Sequence, residues 1–218
     1  MLKKYLFILA ILIIPLNAYT QIRHGLDFNF NAPLGISIMM PHSGKSEYKV
    51  EKNTINFQGG AGIGIGYYLG INDLVKISFL GTMRYSYDKI NINKPDFNLK
   101  YIYESHNISL GIMPKIYIDN FSLGLDIGAK FPLNKPAISV DDGKIHNSYN
   151  SSGTPRTYFK FVADYNIFFR EDMAIAIGMY IGYDRGLMIK NRKGFAKNER
   201  YGNLNLGLHL AYRYASFF

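Results

Sequence analysis

The final stretch, residues 201–218, restricts this chain more than any other. Leu204, Leu206, Leu208, Leu210, Tyr212, Tyr214 and Phe218 alternate with Asn203, Asn205, Gly207, His209, Ala211 and Arg213. A period of two describes a β-strand with one apolar and one polar face. Soluble domains tend to end in polar, frayed segments. A strand that closes on an aromatic is instead expected where it finishes inside a membrane barrel.

Seven earlier runs alternate in the same way, at about 26–40, 54–69, 74–89, 101–118, 121–133, 156–169 and 173–187. The connections between them alternate in length. Residues 70–73, 119–120 and 171–172 make short turns rich in Asp, Asn and Glu, whereas 41–53, 90–100, 134–155 and 188–200 are long. Tight turns on one rim and long loops on the other suit an even-stranded antiparallel barrel.

Alternation does not say which face points outward, because a soluble barrel alternates too. Glycine decides it. Gly60, Gly62, Gly64, Gly66, Gly111, Gly124, Gly128, Gly178, Gly182 and Gly207 all share the polar face. Glycine weakens a strand, so a solvated face would favour other residues. A narrow barrel interior needs small residues beside its large ones. The polar face is therefore assigned to the lumen and the apolar face to lipid.

The other end of the chain suits export. Lys3 and Lys4 precede an apolar stretch at 6–16 and the small residues around Ala18 and Thr20. This is the pattern of a secretory signal, and the stretch is shorter than the ~20 residues of a spanning helix. The expected division is a signal peptide at 1–20 and a barrel at 21–218, with cleavage after Ala18 or Thr20; an uncleaved anchor is the alternative. Cysteine is absent, so a closed hydrogen-bond ladder must do what disulfides do elsewhere outside the cell. The formal charge is +9, or 9 − 2 = +7 without Lys3 and Lys4. Export argues against nucleic acid as the partner of that charge.

Inward parity gathers a set of charges: Asp27, Lys76, Arg84, Lys115, Asp126, Lys130, Lys160, Asp164, Asp184 and Arg213. Buried charges must be paired and hydrogen-bonded, and both signs are present here. The set reads as a stiffening plug, with an ion or proton path as the alternative. Tyr67, Phe169 and Tyr214 near one rim, and Tyr85, Tyr183 and Tyr201 near the other, would mark the membrane interfaces.

On these features the chain resembles the small outer-membrane β-barrel proteins of Gram-negative bacteria. The likeness is to the eight-stranded class of the OmpA transmembrane domain and OmpX, and to the PorT-like barrel chains of Bacteroidetes. It implies an outer-membrane location and an all-β, eight-stranded antiparallel transmembrane barrel. It also implies an assembly signal, read by the barrel assembly machinery, at Leu210, Tyr212, Tyr214 and Phe218.

The long loops carry the remaining candidates. Lys190, Arg192, Lys193, Lys197 and Arg200 form a basic loop that would face the exterior. It suits the phosphates of outer-leaflet lipid and lipopolysaccharide, or it serves only to keep the loop solvated. His146, Ser148, Asp141 and Asp142 have a local spacing that a lipid hydrolase could use, but they fall in a loop. His106 and Ser109 fall on opposite strand faces. Asp141 and Asp142 lack the spaced oxygens of a calcium loop, and the glycines at 59–66 precede no helix that could complete a phosphate site. The expectation is a monomeric, non-enzymatic structural or surface-interaction protein without metal or cofactor. A lipid-modifying enzyme and a narrow channel are the alternatives.

Overall fold

A computed structural model describes residues 23–41, 55–72, 74–94, 99–133, 137–140, 155–189 and 199–217. The leader at 1–20 lies outside them. Nine strands follow in order: β1 (His24–Pro41), β2 (Ile55–Gly70), β3 (Val75–Lys94), β4 (Leu99–Ile118), β5 (Phe121–Pro132), β6 (Ala137–Val140), β7 (Arg156–Arg170), β8 (Met173–Ile189) and β9 (Glu199–Phe217). The eight long strands pair antiparallel with their neighbours, and β1 pairs with β9, closing the ring. Four-residue β6 stands apart, adding to the far end of β4 through Tyr101↔Val140 to Glu104↔Ala137.

Register fixes the size of the ring. The ladder runs Phe28↔Ile65↔Gly81↔Ile112↔Ile127↔Phe159↔Tyr183↔Leu204↔Ile38, so one circuit of the eight strands returns to β1 ten residues on (38 − 28 = 10). At about 3.3 Å per residue and about 4.8 Å between strands, that stagger tilts the strands by roughly 41° and sets a backbone radius of roughly 8 Å. Side chains reaching in from opposite walls meet at that radius.

The facing is as the glycines implied. Outward positions hold Phe30, Leu34, Phe57, Phe79, Ile112, Ile127, Phe161, Ile177, Leu208 and their neighbours, all exposed. Inward positions hold the buried Asp, Asn, Ser, Lys and Arg side chains, together with an apolar knot of Leu80, Met113, Val162 and Tyr180. A surface this apolar has no stable place in water, and a closed ladder leaves no sheet edge unpaired within the ring.

Cross-strand glycine pairs seat the large lumen side chains. Gly35 pairs with Gly207 on the β1–β9 ladder, where a Cβ at Gly207 would lie 2.6 Å from the Tyr180 ring. Gly111 pairs with Gly128 on the β4–β5 ladder, where a Cβ at Gly128 would lie 2.7 Å from the Tyr158 hydroxyl. Each pair is a slot in the wall that takes the end of one tyrosine.

The short turns follow their residues. Asp119 takes a φ of 52° between Ile118 and Phe121, the sign a primed two-residue hairpin requires and one that Asp tolerates. Asn72 Oδ1 accepts from the backbone N–H groups of Leu74 and Val75 at 2.9 and 2.7 Å, an Asx turn. Just before Glu171–Asp172, a bulge between Phe168 and Arg170 turns Phe168 and Phe169 outward together.

The opposite rim differs from expectation. Residues 90–100 are not mainly loop, because β3 and β4 stay paired out to Lys94↔Leu99. The signal was present in the Ile90-Asn91-Ile92-Asn93 alternation, hidden by the polar residues and proline that follow. Likewise β8 runs on to Ile189, β9 begins at Glu199, and β6 interrupts the 134–155 connection. At ~2.5 Å of height per tilted residue, an apolar band ~25 Å tall needs about ten residues. The twenty residues of β3 therefore carry its pairing with β4 roughly 25 Å past the band.

Candidate functional site

The lumen concentrates the chemistry, and its side chains form three tiers. In the tier nearest the short turns, Asp27 on β1 takes two donors from Arg213 on β9, Nε at 3.1 Å and Nη2 at 3.4 Å. The Tyr117 hydroxyl donates to the same carboxylate at 3.1 Å, and the Arg213 guanidinium lies 3.9 Å from the Tyr117 ring centroid. A planar cation between a carboxylate and an aromatic face is satisfied on its edge and its face at once.

The middle tier holds two carboxylates. Asp164 on β7 pairs with Lys115 on β4, accepts from Ser122 at 3.2 Å, and meets His209 Nε2 at 2.7 Å. Asp126 on β5 pairs with Arg84 on β3 and accepts from Thr82 and Tyr158 at 3.1 and 3.0 Å. The outer tier centres on Asp88. It accepts from Gln58 at 2.9 Å and Asn107 at 3.0 Å, with Lys130 at 3.3 Å and Arg156 at 3.5 Å. Lys130 also pairs with Asp184, and Arg156 donates to Asn107 at 2.7 Å.

All ten lumen charges expected from parity point inward. Eight are buried, and Lys76 and Lys160 are half-buried. Three members of the set were missed: Asp88, Arg156 and His209. Each has lumen parity on its strand, so the same rule could have found them. Asp88 and Arg156 lie next to the long connections, where alternation is hardest to separate from loop, and His209 reads in the sequence only as one more polar residue of its strand.

These pairs join strands one to three apart in the ring, so each tier braces the wall from within. Two small cavities lie between them. One, beside Lys115 and His209, leaves about 30 Å³ open to the centre of a water molecule, and the other, beside Lys130 and Asp184, about 20 Å³. At ~10–15 Å³ per water on this measure, the first has room for about two or three and the second for about one or two. Ser122 and His209 both turn to Asp164 through different oxygens, and a nucleophile–base pair would need them turned to each other.

The outer face carries its own pairs. The Tyr67 hydroxyl meets His24 Nδ1 at one rim, and the Tyr85 hydroxyl meets His106 Nδ1 towards the other, each at 2.5 Å. Beyond the band, Lys89 and Glu104 pair at 2.9 Å. Their hydrogen bond holds the Glu104 carboxyl below, and the Lys89 amine above, its ordinary value. His106 is outward and Ser109 buried inward, on opposite faces as parity indicates.

Of the residues expected to form an assembly signal, Leu210 and Tyr212 are exposed on the lipid face and Tyr214 is half-buried, its ring tilted against Phe28 with centroids 6.2 Å apart. Phe218 lies outside the described residues, as do Lys190, Arg192, Lys193, Lys197, Asp141, Asp142, His146 and Ser148. Arg200 is the second residue of β9.

No protein-family model matches the chain, and no curated protein matches it, so the PorT-like likeness stays a resemblance. Among solved structures the chain is similar to Ail, the attachment invasion locus protein of Yersinia pestis, at 14% identity, 87% of this chain, 99% of that one and a TM-score of 0.42. It is similar to the outer membrane protein OprG of Pseudomonas aeruginosa at 9% identity, 86% and 96% coverage and a TM-score of 0.38. Neisserial surface protein A follows at 10%, 84% and 96%, with 0.31. These are small outer-membrane β-barrels. The assignment of this chain to that architecture rests on its own register, closure and facing.

Proposed function

We propose that this chain resides in the outer membrane as a monomeric, non-enzymatic barrel. In this reading the barrel is the anchor and the extended rim makes contact with surface partners. One observation carries it: ion pairs fill the lumen in every tier, Arg213–Asp27 between adjacent strands and Lys115–Asp164, Arg84–Asp126 and Lys130–Asp184 between strands two apart in the ring. Cavities for only a few waters separate them. An interior so filled favours rigidity over passage. It leaves the β3–β4 hairpin and the long connections as the parts free to meet other molecules.

The partner best matched by charge is phosphate-bearing lipopolysaccharide, met by Lys190, Arg192, Lys193, Lys197 and Arg200. The test is binding of lipopolysaccharide to the full chain in lipid nanodiscs. Lys193→Ala with Lys197→Ala should weaken it several-fold, and added salt should weaken it further. Unchanged binding in the double variant would remove lipopolysaccharide as the partner. Planar-bilayer recording should show no steady conductance, and a stable open level would favour the channel reading. Turnover of labelled lipid A would favour the enzyme.

A further inference from the structure

Lys160 is the one lumen cation among the described residues, Lys76 aside, for which no carboxylate lies within ion-pair distance. Its ammonium lies over the face of Tyr180, 4.3 Å from the ring centroid. A ring face attracts the charge but leaves N–H donors without acceptors. Lys160 lines both lumen cavities, as do Arg84 and Tyr180. The carboxylates on the same walls are already engaged, Asp126 by Arg84 and Asp184 by Lys130. With Lys76 set aside, the described lumen holds six Lys and Arg side chains against five Asp, an excess of 6 − 5 = 1. The cation left over is Lys160, whose charge inside a protein wall is costly without a counter-ion.

We infer that the space between Lys160 and Arg84 is a binding site for a small monovalent anion of the halide class. Charge sign, free donors and size select that class together. A halide is a sphere somewhat larger than a water molecule and fits where the larger cavity takes about two or three. Sulfate or hydrogen phosphate would bring two negative charges against the one cation left over. The bound anion would complete the charge balance that the five carboxylates leave short, and it would tie β3 to β7 as the ion pairs tie the other strands. The site is independent of any partner at the rim, so the binding and conductance tests above do not decide it.

Bromide tests it directly. Crystals of the full chain grown or soaked in bromide should show an anomalous peak within contact distance of Lys160 Nζ. In detergent at constant ionic strength, replacing gluconate by bromide should raise the folded-to-unfolded ratio. Above saturation the rise should approach tenfold for each tenfold in bromide. Lys160→Met, which keeps the length of the side chain without its charge, should abolish both effects. Absence of the peak overturns the proposal, as does an equal bromide dependence in wild type and Lys160→Met. Should the variant not fold, the wild-type anomalous map decides alone.

Discussion

Asp164 is the sharpest probe of whether the lumen is a dry, locked interior. Its carboxylate is buried against Lys115, His209 and Ser122, and both it and the Lys115 amine are nearly without solvent. Asp164→Asn keeps the shape and removes the charge. Lys115 is then left buried with no opposite partner, a change that costs about 3–5 kcal/mol where water cannot enter. Lys115→Met in the same chain removes the stranded charge. The double variant should recover most of the loss, because an apolar pair of similar volume often matches a buried ion pair. The chain has no tryptophan, so urea unfolding in lipid vesicles is best followed by tyrosine fluorescence and far-ultraviolet circular dichroism. The reasoning fails if Asp164→Asn costs under ~1 kcal/mol, the size of an exposed pair. It fails equally if Lys115→Met makes the single variant worse. Either result would mean a hydrated lumen and would turn attention back to conduction.

Further tests address facing, wall and rim. Ile177 is 54% exposed on the lipid face and its neighbour Ala176 is buried in the lumen. Ile177→Lys should cost about 2–4 kcal/mol in a bilayer, and Ala176→Ser should be nearly silent. Equal tolerance in the same unfolding assay would reverse the inside-out assignment. Gly207→Val should drive its side chain into the Tyr180 ring and cost about 1–3 kcal/mol as overpacking. Adding Tyr180→Ala should relieve part of that cost, and additive losses would deny the slot. Exposed Lys89→Ala, which breaks the Glu104 pair, should leave the unfolding midpoint nearly unchanged, because a solvated surface pair adds little to stability.

Much of this protein is legible without coordinates, for a definite reason. A barrel strand repeats every two residues and one stagger serves the whole ring. The parity of Leu206, Ile177 or Lys115 can thus be read from near neighbours alone. Glycine on the polar face then decided inside from outside, because only a narrow interior needs such gaps. What parity cannot supply is distance across the ring. It places Asp88, Arg156 and His209 inward yet says nothing of partners, since those lie on strands dozens of residues away, as Asp88 and Lys130 do. It also misjudged the rim, where Ile90 and Ile92 continue a ladder that the surrounding polar residues disguise.

The chain's own order of residues therefore determined that there would be eight long strands, which side of each meets lipid, and where the tight turns fall. All three are local properties of a period-two backbone. Only closure of the ring decided the stagger of ten, the pairing of each charge, and the isolation of Lys160. Those depend on which side chains meet across a lumen whose backbone wall has a radius of roughly 8 Å, and no local pattern encodes that meeting.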